Sequence, residues 1–96
     1  MNINLDKQFD EFYSRLDYYQ LSPSAISLYM AILQIAKRKR QIDNLRLSNG
    51  ILTNKSGLNV SALQRARNEL IQNGYINYKK RCKSKRFISL YNHLFV

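Results

Sequence analysis

The sequence predicts a mainly α-helical domain with a small β-hairpin at its end. Three observations predict it. Apolar residues recur at helical spacing in separate stretches before Gly74; after Gly74 the pattern changes to two short runs rich in Tyr, Ile, Phe and Leu; and those runs bracket KKRCKSKR, residues 79–86, where six of eight side chains are cationic. With 96 residues and 45% hydrophobic content, the chain can bury one modest core.

Leu5, Phe9, Phe12, Tyr13, Leu16 and Gln20 fall at helical spacing with acidic residues mostly between them, which predicts an amphipathic helix from about 5 to 19. Residues 1–20 thus form an N-terminal element whose apolar stripe packs on the domain, residues 21–96, or on a second copy. In LSPS, Ser22 is the expected N-cap and Pro23 the first helical residue, where a missing N–H is harmless. Ala25 to Ala36 is apolar at nearly every position, so this helix is the spine of the core, with KRKR (37–40) at the end where the helix dipole favours cations.

LRLSNGILT, residues 45–53, has two readings. Asn49-Gly50 between alternating apolar residues is a hairpin signal; equally, Leu45 and Leu47 form a brief strand and Ser48 or Asn49 caps a short helix ending at Gly57. The next residues favour the second reading, because Gly57-Leu58-Asn59 has the composition of a tight turn and Asn59 is placed to cap a helix over about 60–73 that stops at Gly74. On that helix Leu63, Ala66 and Leu70 share one face, and Ser61, Gln64, Arg65, Asn68 and Gln72 project from the other. Residues of about 75–91 then read as the hairpin, with Ile76, Tyr78, Ile88 and Leu90 facing the core at period two.

Charge narrows the function. Sixteen Lys and Arg against six Asp and Glu leave +10, a surplus that points to polyanionic partners, nucleic acid before a membrane surface. It is unevenly placed: residues 1–36 contain Lys7 and Arg15 against Asp6, Asp10, Glu11 and Asp17, and nearly all the remaining charge after residue 36 is positive. One cysteine and one histidine build neither a zinc site nor an internal disulfide, so no metal or cofactor is expected. No secretory leader or membrane span is legible, which predicts a cytoplasmic protein. No nucleophile–base pair, phosphate loop or acidic metal pair points to an enzyme.

Helix, short strand, helix, turn, helix, hairpin is the order of a winged helix-turn-helix, here with an extra N-terminal helix. That fold predicts double-stranded DNA as the partner. Ser61, Gln64, Arg65 and Asn68 are of the types that read major-groove base edges, and Lys79, Lys80, Arg81, Lys83, Lys85 and Arg86 lie on the wing, where backbone contacts fall. Asn59, Lys55, Arg38 and Arg40 are further candidates for phosphate contacts. Arg67 sits beside the core stripe and reads as structural, with an ion pair as its expected partner. Cys82 at the wing tip reads as incidental, and His93 carries no signal.

LSPSAISLYMAIL, followed by LSNGILTNKSGLNVSALQRARNELIQNGYINYKK, resembles the N-terminal domain of phage replisome organisers and DnaD-like replication initiation proteins, over roughly residues 8–91. The likeness rests on Phe12-Tyr13 in the leading helix, on Leu21–Ala25 at the start of the long helix and most specifically on the run Ser61–Lys80, although winged helices at large share its ending, Leu70–Ile76. The resemblance implies origin recognition or DNA remodelling for a phage or plasmid of a low-GC Gram-positive host. It also implies self-association through N-terminal elements, as a homodimer or larger, and a possible replication-protein partner, and it tips Ser48–Ser56 toward helix. Relatives usually continue past the wing into a part that contacts the helicase loader, so loader recruitment is not implied for these residues by themselves. Two rivals stand beside it: a phage or plasmid transcriptional repressor with the same DNA-binding surface, and, in a different class, an interaction module that grips a host replication or defence protein.

Overall fold

The computed structural model describes residues 5–82 and 85–90, with side chains described for 6–79 and 86–90. Its elements are α1 (Leu5–Arg15), α2 (Pro23–Lys39), β1 (Leu45–Arg46), α3 (Asn49–Ser56), α4 (Val60–Gln72), β2 (Ile76–Cys82) and β3 (Lys85–Leu90). The strands form one antiparallel sheet in the order β1-β3-β2. This is the mainly helical fold with a hairpin that the sequence predicts.

Local chemistry sets most helix ends. Ser22 accepts from the Ala25 amide at 3.2 Å and Pro23 follows it, so α2 begins with its orphan donors partly satisfied. Ser48 does the same for α3 through the Ile51 amide at 3.2 Å, and Asn59 for α4 through the Ala62 amide at 2.8 Å. Gly57 ends α3 at φ 75°, a left-handed conformation that glycine adopts without steric penalty, and its N–H returns to the Thr53 carbonyl at 2.9 Å. Asn49-Gly50 therefore opens a helix and makes no hairpin turn.

A cap also forms between helices. Glu69 on α4 accepts from the Ser22 backbone N–H at 2.7 Å and from the Ser22 hydroxyl at 2.8 Å. This is the arrangement of a capping box with its carboxylate supplied from a distant helix, and it ties α4 to the start of α2.

α1 departs from the expectation in two ways. It ends at Arg15, before the predicted end near residue 19, because Leu16, Asp17 and Tyr18 donate to carbonyls three residues back at 3.1 to 3.2 Å and tighten the chain into a turn toward α2. The predicted stripe also splits. Phe12 is fully buried and Leu16 partly so, whereas Phe9 and Tyr13 are exposed with ring centroids 4.9 Å apart, and Gln20 is exposed. Gln8 takes the buried position instead, where its amide donates to the Tyr29 hydroxyl at 3.1 Å.

α2 is buried along two sides, through Ala25, Leu28, Tyr29, Ala31, Ile32, Leu33, Ile35 and Ala36. Around Tyr29 an aromatic triangle joins α1, α2 and the connection that leads into β2: Phe12 stacks on it at 4.0 Å, and Tyr75 meets both rings edge-on at 5.3 and 5.8 Å. The sheet adds Leu45, Ile76, Ile88 and Leu90 from its inner face, with Tyr78 partly buried at the margin.

Burial pushes the Tyr29 hydroxyl from its ordinary value of 10 up to about 12, against the lowering effect of the Gln8 hydrogen bond. In the unfolded chain Tyr29 loses its proton near pH 10, while the folded chain retains it to about 12. Between those values the unfolded state binds fewer protons, so stability falls as pH rises. The expected loss reaches about 2–3 kcal/mol by pH 12. Urea melts at several alkaline pH values check it: Tyr29→Phe should flatten the slope, and an unchanged slope would assign it to other groups.

Candidate nucleic-acid interface

α3, the turn Gly57–Asn59 and α4 form a helix-turn-helix that packs on α2, and the β2–β3 hairpin comes directly after α4. On α4, Leu63, Ala66 and Leu70 enter the core and hold the helix at fixed rotation. That rotation leaves Ser61, Gln64, Arg65 and Asn68 exposed together, with Gln72 beyond them. Glu69, the one acidic residue on the helix, is engaged with Ser22, so the exposed face carries the Arg65 charge unopposed by a carboxylate of its own helix.

The wing is built by register. β3 pairs Ile88 with Tyr78 and Phe87 with Lys79 on one side, and the same two residues with Leu45 and Arg46 of β1 on the other. Alternation therefore places Arg46, Phe87 and Lys79 in one row across the outer face, with Arg46 and Lys79 exposed. Arg46 is an addition to the residues expected at the site. The LRL alternation at 45–47 holds the signal for it, since a strand that buries Leu45 and Leu47 must turn Arg46 outward. Arg86 pairs with Lys80 and has the inner-face parity of Ile88, at the end of the sheet beyond the core.

The remaining candidates are dispersed. The side chains of Lys80, Arg81, Lys83 and Lys85, with Cys82 and His93, lie outside the described residues. Lys55 extends toward α2 and donates to Gln34 at 2.8 Å. Asn59 is exposed, but its side-chain oxygen serves as the α4 cap. Arg38 and Arg40 are exposed at the C-terminal end of α2, about 25 Å along the axis from the Ser22–Glu69 contact by helical rise. Arg40 occupies a left-handed cap at φ 52°, where glycine would sit without strain.

Arg67 is buried, as expected of a structural residue, but no carboxylate pairs with it among the described residues. Its guanidinium lies 4.3 Å above the Tyr78 ring and its Nη1 donates to Asn49 Oδ1 at 3.2 Å. Desolvation by burial lowers its pKa, the Tyr78 hydroxyl works against that, and the nearby Arg86 charge adds to the lowering.

Acidic residues are concentrated toward α1. Asp6, Asp10, Glu11 and Asp17 belong to α1 and the turn after it, and the two ion pairs among the described residues, Arg15–Glu11 at 3.8 Å and Lys37–Asp6 at 3.9 Å, both involve α1. The strands of the wing contain no acidic residue and α4 contains only the engaged Glu69, so together they present the cationic side of the molecule.

Four helices, a three-stranded antiparallel sheet and a hairpin directly after the second helix of the turn define a winged helix-turn-helix, a class of DNA-binding domain. The sequence profile of the family described as helix-turn-helix domain matches residues 19–76, more than half of the chain, and the chain belongs to that family. The match runs from the middle of the α1–α2 connection to the first residue of β2. No curated protein and no solved structure matches the chain significantly. Among the described residues, no helix is long and apolar enough to cross a membrane.

Proposed function

We propose that the chain is a sequence-specific double-stranded DNA-binding protein serving origin recognition and replication initiation of a phage or plasmid, and that it acts by binding rather than by catalysis. The exposed face of α4 is the observation that carries the DNA-reading part: Ser61, Gln64, Arg65 and Asn68 stand together on a helix held at fixed rotation by its buried side. In this reading α4 enters a major groove, and the wing cations, with Lys79 and Arg86, lie along the flanking backbone. The replication role is supported by the resemblance to replisome organisers and DnaD-like proteins. Self-association belongs to the same reading, supported by the exposed Phe9 and Tyr13 rings on α1.

The test is a titration of labelled duplexes from the protein's own gene and flanking DNA beside shuffled duplexes. Discrimination of about 10³ or more is expected of a sequence reader. Repeated sites would then mark an origin, and a site overlapping a promoter an operator. Arg65→Ala should weaken the preferred site by about 1–3 kcal/mol and relax preference at one base pair. Equal losses on preferred and shuffled DNA would remove α4 as the reading element.

A further inference from the structure

We propose that Arg67, Arg86 and Asn49 form a phosphate-binding site between α4 and the wing, which holds one backbone phosphate of the bound duplex. The site rests on the DNA-binding reading above and adds to it a buried residue outside the exposed face of α4.

The starting observation is a buried arginine with which no carboxylate pairs among the described residues. Arg67 is 7% exposed. All six acidic residues of the chain fall in the described region, and neither of its ion pairs includes Arg67. Removing a guanidinium from water is costly unless an anion or a full set of acceptors replaces the water. Among the described residues, one of the five guanidinium N–H donors has a protein acceptor, Asn49 Oδ1 at 3.2 Å, and the ring of Tyr78 covers one face of the group. The remaining donors form a fork of the shape that grips phosphate oxygens.

The surroundings increase the demand for an anion. Leu47 donates its backbone N–H to the Arg86 carbonyl at 3.1 Å, which fastens the chain just before α3 to the wing strand at Arg86. That bond sets the Arg86 backbone beside the segment that leads into α3, whose Asn49 accepts from the Arg67 guanidinium, and the Arg86 charge is near enough to lower the Arg67 pKa. Asn49, with its oxygen committed to Arg67, has its amide hydrogens left to donate. The Asn49 and Gly50 backbone amides at the start of α3 have no acceptor within their helix. A guanidinium and N–H donors meet here, and among the described residues no carboxylate is paired with them.

Position favours a DNA phosphate over free phosphate. Arg67 lies on the flank of α4 that meets β2, one helical turn from Gln64 and adjacent to Asn68 on the exposed face. A phosphate held there would lie between the recognition helix and the wing, on the path of a backbone strand bordering the groove.

Anisotropy titrations of a preferred and a shuffled duplex over a range of salt test the site, comparing wild type with Arg67→Met, which keeps a stem over Tyr78 and removes the charge. The expected result is a loss of about tenfold on both duplexes and a plot of log affinity against log salt that is shallower by about 0.9, one phosphate contact. A variant with wild-type affinity and slope overturns the site, whatever its melting temperature. If Arg67→Met does not fold, wild type and Arg86→Gln are melted in inorganic phosphate and in chloride at matched ionic strength. A phosphate-specific rise in Tm that Arg86→Gln abolishes supports the site; no rise, or one that the variant retains, overturns it. A wild type that binds no duplex at low salt removes the DNA reading and this site with it, whereas duplex binding with an unaltered Arg67→Met variant removes the site alone.

Discussion

Phe12→Ala should destabilise the folded chain by about 3–5 kcal/mol, the range for deleting a large side chain from a packed core. Phe12 is fully buried, stacks on Tyr29 at 4.0 Å and meets Tyr75 edge-on at 5.3 Å, so truncation strips contacts from α2 and from the residue that leads into β2 at once. Neither neighbour can readily close the gap, because the Tyr29 hydroxyl is held by Gln8 and Tyr75 is fixed by its backbone bond to Leu70 at 2.9 Å. Denaturant unfolding checks the figure, with the exposed neighbour Tyr13→Ala as control and an expected change of less than about 1 kcal/mol there. Similar losses for the two variants would mean that α1 is not anchored through Phe12.

The second large effect is on binding. Raising salt from about 50 to about 200 mM should weaken duplex affinity by about 10³, as expected when some six phosphates are neutralised. Lys79, Lys80, Arg81, Lys83, Lys85 and Arg86 supply the six charges. Reversing Lys79 and Lys83 to Glu should flatten the salt dependence and weaken preferred and shuffled duplexes alike. Affinity that is insensitive to salt would exclude backbone phosphates as the main source of binding and direct attention to a protein partner.

Much of this architecture is legible in the sequence because its signals are local. Ser22-Pro23, Ser48, Gly57 and Asn59 fix helix ends through bonds spanning three or four residues, and the period-two run of Ile76, Tyr78, Ile88 and Leu90 fixes the inner face of the hairpin. The features that stay hidden depend on distant partners. Gln8 reads as a solvent-facing residue until Tyr29 offers it a hydroxyl, and its burial turns α1 so that Phe9 faces outward. Glu69 reads as a surface acid until Ser22 is placed beside it. Arg67 invites an ion pair by its type, yet the fold sets it against Tyr78 and Asn49, near the Arg86 charge, and no carboxylate pairs with it among the described residues. For the site, the exposed face of α4 comes from helical periodicity, whereas the convergence of α3, α4 and β3 around Arg67 requires the tertiary fold.

In the strand order β1-β3-β2 the two outer strands differ in what they leave open. β1 is two residues long, too short to template another strand, but β2, seven residues long, pairs with no strand on its outer side among the described residues. An unprotected edge of that length invites a neighbouring chain to add a strand, and closely spaced cations are a common safeguard against it. Lys79, Lys80 and Arg81 lie within that strand. The charges assigned to DNA therefore also guard solubility, and wing variants designed to weaken DNA binding should exchange lysine for glutamate, since neutral replacements would expose an aggregation-competent edge.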